Sequence, residues 1–226
     1  EILKGKQKIG TTHRGIGPTY ADKYSRIGIR LEDFTELDIL KEKLDLIVPM
    51  KNSILKNNYN LPGYEAEDLY QYCLKYKDMF LNYMADTTEI ITNKKKKKKH
   101  ILFEGAQGAM LDIDHGTYPY VTSSSSTAGG ACTGSGIGPS YMDRVIGISK
   151  AYVTRVGEGP FITELTDDIG EKIRTIGKEF GTTTGRPRRC GWFDAVVSKY
   201  AVLINSLDCM AITKLDVFDS FEKINI

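Results

Sequence analysis

The uneven distribution of glycine limits the fold of this 226-residue chain more than any other feature of its sequence. Residues 31–100 contain one of the 22 glycines, Gly63, whereas glycine recurs throughout the rest of the chain. Glycine suits tight turns between strands and helices, and it is disfavoured inside helices. The pattern therefore predicts a helical excursion over residues 31–100, set within a fold that alternates strands with helices.

Apolar residues within 31–100 recur at helical spacing and predict two or three amphipathic helices. The two apolar stripes consist of Leu37, Leu40, Leu44, Ile47 and Val48, and of Leu69, Cys73, Tyr76, Phe80 and Tyr83. We expect interruptions near Pro49 and Pro62, because proline lacks the N–H group that a helix interior needs. The excursion should end in an exposed loop formed by the lysine run 94–99.

The lysine run 94–99 dominates the charge of the chain. The formal net charge is +2, but without the run 25 basic residues face 29 acidic ones, a net charge of −4. A lysine run can bind a nucleic-acid backbone. Because this run contains no aromatic residue, a solvated loop is the better interpretation, and we expect no nucleic-acid partner.

Outside the excursion, apolar segments of strand length alternate with segments of helical periodicity. The predicted strands are 101–104, 145–156, 209–213 and 223–226, and the predicted helices are 167–178 and 193–203. This order favours an α/β fold with a mostly parallel central sheet, crossover helices and the helical excursion. Ligands of such sheets bind in the loops at the carboxyl ends of the strands.

A phrase typical of helix starts occurs twice in the sequence. Residues 15–20 are Gly-Ile-Gly-Pro-Thr-Tyr, and residues 136–141 are Gly-Ile-Gly-Pro-Ser-Tyr. Proline fits the first turn of a helix, whose free N–H groups can bind an anion. Whether the two segments bind anions or are simply well-capped helices stays open at this point.

Four loops concentrate polar side chains. They are residues 10–15, 103–130, 181–189 and 213–216. The third of them combines three threonines with Arg186, Arg188 and Arg189 between glycines. Arginine forks match carboxylates and phosphates, so this loop predicts a site for an anionic ligand.

The fourth loop is similar to the guanine-specificity motif of GTP-binding proteins. Thr213, Lys214, Leu215 and Asp216 directly follow a predicted buried strand. One carboxylate can accept hydrogen bonds from both the ring N–H and the exocyclic amine of guanine, and a lysine stem can cover the base. The motif is short enough to occur by chance, but its position after a strand supports the interpretation.

Other features argue against several classes of site. The four cysteines are scattered, which favours reduced thiols over a zinc site or a disulfide framework. The segment 112–115 (Asp-Ile-Asp-His) lacks further ligands at metal-like spacing, so we expect turn-forming aspartates and no metal site.

No apolar run reaches the roughly 18 residues of a membrane helix, and no leader sequence opens the chain. We therefore expect a cytoplasmic protein without a membrane partner.

Taken together, five segments closely resemble the adenylosuccinate synthetase family. They are residues 10–30, 102–130, 150–161, 180–192 and 213–219. Members of that family join IMP and L-aspartate, using GTP and Mg²⁺, to give adenylosuccinate, GDP and phosphate. The resemblance implies that residues 1–226 are the central portion of one α/β synthetase domain, and that the protein is a cytoplasmic homodimer.

The resemblance also implies roles for individual residues. Those that would bind IMP are Thr12, Gln107, Thr122 and Arg186, with Arg26 reaching the IMP of the partner subunit. Those that would bind aspartate are Thr182, Thr183, Thr184, Arg186 and Arg188. GTP would contact Arg188, Lys214 and Asp216, and Gln107 would lie near the reacting purine in a supporting catalytic role.

Some features of the family pattern have no counterpart here. The family's phosphate loop, its catalytic aspartate and histidine, and the segment that completes the guanine pocket are not found in this sequence, so the Mg²⁺ ligands would also lie outside it. We therefore expect the 226 residues alone to be inactive. The alternative to a synthetase is a non-catalytic protein that binds guanine or purine nucleotides.

Overall fold

The computed structural model describes residue 5 and residues 9–181 and 185–226. The chain divides into two compact units. One, the helical unit, comprises Gly15–Ile90. The other, the α/β unit, comprises Ile91–Ile226 together with the segment that precedes Gly15. Among the described residues, no helix is both long enough and apolar enough to cross a bilayer.

The helical unit is built on three helices: α1 (Ile16–Tyr24), α2 (Leu37–Tyr59) and α3 (Ala66–Tyr83). Its fourth helix, α4 (Thr87–Lys96), continues into the other unit. The core consists of buried residues of α2 and the preceding turn, packed by half-buried residues of α3: Phe34, Leu40, Leu44, Val48, Leu69, Cys73 and Phe80. The two predicted stripes are thus confirmed, except that Tyr83 is 87% exposed.

Pro49 does not interrupt its helix, contrary to the sequence prediction. It lies inside the 23-residue helix α2, whereas Pro62 lies in the segment between α2 and α3. The buried residues Leu44 and Val48 pack against α3 on the same stretch of helix. Tertiary packing of this kind can outweigh the loss of one backbone hydrogen bond.

The lysine run is also more ordered than a loop. Lys94–Lys96 form the last turn of α4, where positive charge is favourable next to the exposed carbonyl groups. Lys95 donates a hydrogen bond of 2.8 Å to the carbonyl of Tyr141 and pairs with Asp143 at 3.2 Å. The remaining lysines, 97–99, are exposed.

The α/β unit contains a parallel and an antiparallel pair of strands. Strands β1 (Ile146–Lys150) and β4 (Cys209–Thr213) are parallel, from the pair Ile146 and Cys209 to the pair Lys150 and Thr213. Strands β2 (Tyr152–Arg155) and β3 (Arg189–Trp192) are antiparallel. The helices are α5 (Ala128–Ser135), α6 (Asp168–Gly177) and α7 (Ala195–Asn205). The α/β class and the parallel pairing across crossover helices are confirmed.

The predicted strands need three corrections. Segment 145–156 is two strands, because the chain leaves β4 after Ala151, whose N–H donates to the carbonyl of Thr213 at 2.8 Å, and then pairs with β3. Segments 101–104 and 223–226 are not strands. Leu102 is 87% exposed, so the first of these lacks the burial that its apolar sequence suggested.

Helix starts follow local capping. The side chain of Asp167 accepts a hydrogen bond from the N–H of Gly170 at the start of α6, and Asp194 accepts one from Val197 at the start of α7. Both helices begin and end within two residues of the predicted bounds. Of the repeated phrases, the first opens α1, while the second forms only a short 3₁₀ turn, Pro139–Tyr141.

The core of the α/β unit lies between β2, β3, α6 and the segment after β4. Its buried members are Ala151, Tyr152, Ile173, Cys190, Val217 and Phe218, with Trp192 and Phe221 packed against them. The ring of Phe218 stacks on Trp192 with centroids 6.0 Å apart and meets Tyr152 edge to face at 5.9 Å. This core fixes the carboxyl end of β4 next to the end of α6.

Candidate functional site

A fully buried carboxylate organises loop 103–130. The side chain of Asp112 is 0% exposed. One of its oxygens accepts hydrogen bonds of 3.0 Å from the N–H groups of Asp114 and His115, which is the turn expected from the sequence. The other oxygen accepts from the Ser125 hydroxyl at 3.0 Å and from the N–H groups of Ser126 and Thr127 at 2.7 and 3.2 Å. Asp112 therefore ties the turn 112–115 to residues 125–127.

These hydrogen bonds keep Asp112 charged. Burial alone would raise the pKa of its carboxyl. The donors from His115, Asp114, Ser125 and Ser126 outweigh burial and lower the pKa from 3.8 to about 2. The charge is therefore part of the structure at neutral pH.

The same loop carries two of the predicted IMP-binding residues. Gln107 is exposed and adopts a left-handed backbone conformation, with φ 63°. The next residue, Gly108, accepts a hydrogen bond from the Ser126 hydroxyl at 3.0 Å. Thr122 is half-buried, and its N–H donates to the carbonyl of Leu111 at 2.8 Å. The Asp112 turn thus sets the backbone next to both residues.

Arg155, at the end of β2, joins this loop to the neighbouring one. Its guanidinium donates to the hydroxyl of Thr117 at 2.9 Å and to the carbonyls of Tyr120 and Glu158 at 3.0 and 2.9 Å. Burial, and then the nearby charge of Arg189, lower the pKa of Arg155. No pattern in the sequence pointed to this contact.

Thr12 lies beside a close approach of two glycines. Gly10 and Gly157 both have positive φ, 86° and 83°. A Cβ on Gly10 would lie 3.1 Å from the Cα of Gly157, so the two backbones could not approach as closely with side chains present. Thr12 itself is exposed. Loop 10–15 is therefore positioned against the segment that follows β2.

Arg189 has a structural role, not the ligand-binding role that the sequence suggested. Its guanidinium forms a two-pronged ion pair with Glu164, in which Nε lies 2.7 Å from one carboxylate oxygen. It also donates to the carbonyls of Gly157 and Gly159 at 3.3 and 2.9 Å. The hydrogen bond to Glu164 raises the pKa of Arg189 and lowers that of Glu164. These donors are committed within the protein, since no anion could take them without breaking the pair.

Arg188 points instead into a cluster at the end of α6. The Glu179 carboxylate, 2% exposed, accepts hydrogen bonds from Tyr152 Oη at 2.6 Å, Lys150 Nζ at 2.7 Å and Arg188 Nη1 at 2.8 Å. Lys214, after β4, donates to the carbonyl of Gly177 at 2.9 Å. The cluster thus brings together the carboxyl ends of β1 and β4 and the arginine loop.

The ionisation of this cluster follows from burial and pairing. Burial alone would raise the pKa of Glu179, but hydrogen bonds from Lys150 and Tyr152 outweigh it and lower the pKa. Burial, and then the hydrogen bond to Glu179, raise the pKa of Tyr152. Burial lowers the pKa of Lys150, and the charges of Arg188 and Lys214 act in the same direction. Lys150 therefore lies within electrostatic reach of two further cations, Arg188 and Lys214.

The guanine-type motif follows the predicted strand. Thr213 ends β4, and its hydroxyl donates to the carbonyl of Ser149 at 3.1 Å. Lys214 has φ 61°, and Asp216 lies in the 3₁₀ turn Leu215–Phe218 with an exposed side chain. The adjacent Val217 and Phe218 are buried, so the core holds the turn while Asp216 faces solvent.

The remaining predicted residues fall into three groups. Arg186 is exposed, and its carbonyl accepts from the N–H of Gly181 at 2.8 Å. Thr182, Thr183 and Thr184 lie outside the described residues. Arg26 belongs to the helical unit, in the turn after α1, with φ 62° and an exposed side chain.

Sequence reasoning missed the residues that hold the site together. Asp112 was expected only as a turn former, and Glu179, Lys150 and Arg155 were not singled out. In the described part of the chain, no three His, Cys, Asp or Glu side chains lie close enough to hold a metal ion.

Comparisons with known proteins agree on one family. The family model for adenylosuccinate synthetase matches residues 1–226. The adenylosuccinate synthetases of Gloeobacter violaceus and Microcystis aeruginosa are 56% and 58% identical to the whole chain. The solved structure of fully ligated adenylosuccinate synthetase from Plasmodium falciparum has a TM-score of 0.90 at 43% identity, and the match covers 99% of this chain and 52% of that one. The chain spans about half the length of the curated relatives it matches, 51% in both cases.

Proposed function

The chain belongs to the adenylosuccinate synthetase family, and on that basis we propose that the complete protein converts IMP, L-aspartate and GTP into adenylosuccinate, GDP and phosphate. The observation that carries this proposal is the cationic cluster at the carboxyl ends of the parallel strands. The charges of Arg188 and Lys214 both act on Lys150, and the exposed Asp216 follows Lys214 by two residues. Such a cluster suits an anionic nucleotide and a dicarboxylic amino acid.

Within this proposal the loops divide the substrates among them. Thr12, Gln107, Thr122 and Arg186 bind IMP. Thr182, Thr183, Thr184, Arg186 and Arg188 bind aspartate, and Arg188, Lys214 and Asp216 contact GTP. Support comes from Asp112, which sets the backbone around Gln107 and Thr122, and from Glu179, which holds Arg188.

The proposed reaction has two steps. The γ-phosphoryl group of GTP passes to the 6-oxygen of IMP, which releases GDP and makes that oxygen part of a leaving group. The aspartate amine then attacks the purine carbon that bears this oxygen. The new C–N bond forms as the C–O bond breaks, and phosphate leaves. Arg188 orients carboxylate and phosphate oxygens, and Gln107 hydrogen-bonds near the reacting purine. The family resemblance implies Mg²⁺, but because the described residues offer no cluster for it, we assign it no ligand and no step here.

We also propose an organisation for the complete protein. Residues 1–226 form the central portion of one cytoplasmic α/β synthetase domain, in which residues 31–100 are a helical excursion that ends at the lysine run. The compact packing of α2 against α3 supports an excursion with its own core.

A direct assay tests the proposed activity. We expect the purified complete protein to form adenylosuccinate in a reaction that requires IMP, aspartate and GTP together. Product is followed by its ultraviolet absorbance and by chromatography. Binding of IMP and GTP without product, under conditions where a relative is active, would instead support the non-catalytic nucleotide-binding alternative.

A mixing experiment tests the proposed role of Arg26 across a homodimer. The Arg26→Ala and Arg186→Ala enzymes should each lose most activity. Mixing them should restore roughly a quarter of the wild-type rate, since half of the dimers are hybrids with one intact site of two. Each variant mixed with itself is the control. If subunits exchange, as shown by differently tagged copies, and no activity returns, then Arg26 does not act in the partner's site.

A further inference from the structure

Glu179 holds Arg188 at two points. The carbonyl of Glu179 accepts the N–H of Arg188 at 2.9 Å, and its carboxylate accepts Nη1 of the same arginine at 2.8 Å. The opposite side of the Arg188 backbone is also held, because its carbonyl accepts from Arg174 Nε at 2.8 Å. Both the backbone and the guanidinium of Arg188 are therefore held by contacts within the protein.

Glu179 is itself fixed by groups from two strands. Its Oε1 accepts from Lys150, the last residue of β1, and from Tyr152, the first residue of β2. Tyr152 is 2% exposed and packs in the core against Phe218. The carboxylate that holds Arg188 is thus anchored to the rigid part of the unit and not to a mobile surface group.

The Nε donor of Arg188 is buried and has no hydrogen-bond partner among the described residues. A buried donor without a partner is unfavourable, and the guanidinium edge that includes Nε is the edge that binds a carboxylate through two parallel hydrogen bonds. With Nη1 taken by Glu179, this edge is the one left for a ligand.

We propose that Glu179 is a positioning residue for substrate binding: it orients Arg188 so that the Nε edge of the guanidinium donates hydrogen bonds to a carboxylate of L-aspartate. This inference rests on the proposed function. Without the negative charge, Lys150 and Arg188 would repel each other, and the guanidinium would lose its orientation. Glu179 makes no contact with substrate in this arrangement and acts through Arg188.

The Glu179→Gln variant of the complete enzyme tests the proposal. We expect the KM for aspartate to rise about tenfold, in line with the loss of one charged hydrogen bond. The KM for IMP should stay within twofold, because Arg188, the residue through which Glu179 acts, is not among the proposed IMP contacts. The matched control is Glu67→Gln, which removes an exposed carboxylate that pairs with Lys41 on the helical unit and should change neither constant.

A double-mutant cycle separates positioning from a general structural effect. In the Arg188→Ala background, Glu179→Gln should change kcat/KM for aspartate by less than twofold, because the group through which Glu179 acts is already gone. Equal effects in both backgrounds would overturn the proposal. Since Gln at a buried charged site can prevent folding, Glu179→Asp is the second variant: it keeps the charge but withdraws the carboxylate by one methylene group. It should also raise the KM for aspartate with little change in the KM for IMP, and an unchanged KM for aspartate in that variant would equally overturn the proposal.

The activity of the wild-type enzyme shows whether the proposed function or only the positioning role of Glu179 has failed. If the wild-type complete enzyme forms no adenylosuccinate, the proposed function fails, and the positioning role fails with it. If wild type is active but the cycle is additive, only the positioning role of Glu179 fails.

Discussion

Replacing Asp112 with asparagine should lower the free energy of unfolding by about 3 kcal/mol at pH 7, which is a large part of the stability of an ordinary domain. The wild-type carboxylate accepts five hydrogen bonds in a fully buried position. Asparagine keeps one acceptor oxygen and turns an NH₂ group towards the donors of the other side. Two or three buried N–H and O–H groups then lose their partner. Denaturant titration of both proteins, followed by circular dichroism, measures the difference.

The effect of Asp112 should depend on pH in a defined direction. Its pKa falls from 3.8 to about 2 on folding. The unfolded chain therefore takes up a proton first as the pH falls, so the contribution is complete above pH 4 to 5 and is lost as the pH drops through 2. The pKa difference corresponds to about 2.5 kcal/mol at neutral pH, of which about half remains at pH 3.

The control for this prediction is Asp114→Asn. Asp114 undergoes the same chemical change two residues away, but its side chain is exposed. It should shift the free energy of unfolding by less than about 0.5 kcal/mol. Equal losses for the two variants, or a loss at Asp112 that does not shrink between pH 7 and pH 3, would contradict the role assigned to the buried charge.

The parts of the fold that local sequence determines were predictable. Helices α6 and α7 begin at aspartate caps and have apolar residues at helical spacing, and both kinds of signal lie within a dozen residues of sequence. Strands depend on a distant partner. Residues 101–104 have a strand-like composition without a ladder, whereas β3, which begins at the last residue of loop 181–189, was not predicted and forms a strand by pairing with β2.

The site was predictable as a set of loops but not as a set of contacts. The resemblance pointed to Arg186 and Arg188, and the composition of the loop pointed equally to Arg189. Arg189 is paired with Glu164, 25 residues away, and Arg188 with Glu179. The local sequence does not show which arginine will pair its whole guanidinium with a carboxylate and which will keep donors for a ligand. The carboxylate partner is distant in sequence and becomes a neighbour only in the folded chain.

The substitution Asp216→Asn should change which base the complete enzyme uses. The aspartate carboxylate presents two acceptors to the ring N–H and the amine of guanine. Asparagine presents one acceptor and one donor, and xanthine, which has a carbonyl in place of the amine, complements it. A buried polar group without a partner costs about 1–3 kcal/mol, or roughly one to two powers of ten. We therefore expect kcat/KM for GTP to fall 10- to 100-fold and that for XTP to rise, with the KM for IMP little changed.

The position of Asp216 allows its effect on nucleotide choice to be measured without a loss of stability. Its carboxylate is exposed at the carboxyl end of β4, while its neighbours Val217 and Phe218 anchor the turn in the core, so the substitution should not disturb the fold. Asp219→Asn, which changes another exposed aspartate three residues further along the chain, is the matched control and should leave the ratio of GTP to XTP use unchanged. Values of kcat/KM for GTP, XTP and ATP are measured for the three proteins. A GTP preference that survives in Asp216→Asn would mean that this carboxylate does not contact the base, and that the similarity of residues 213–216 to a guanine motif reflects the composition of a strand end.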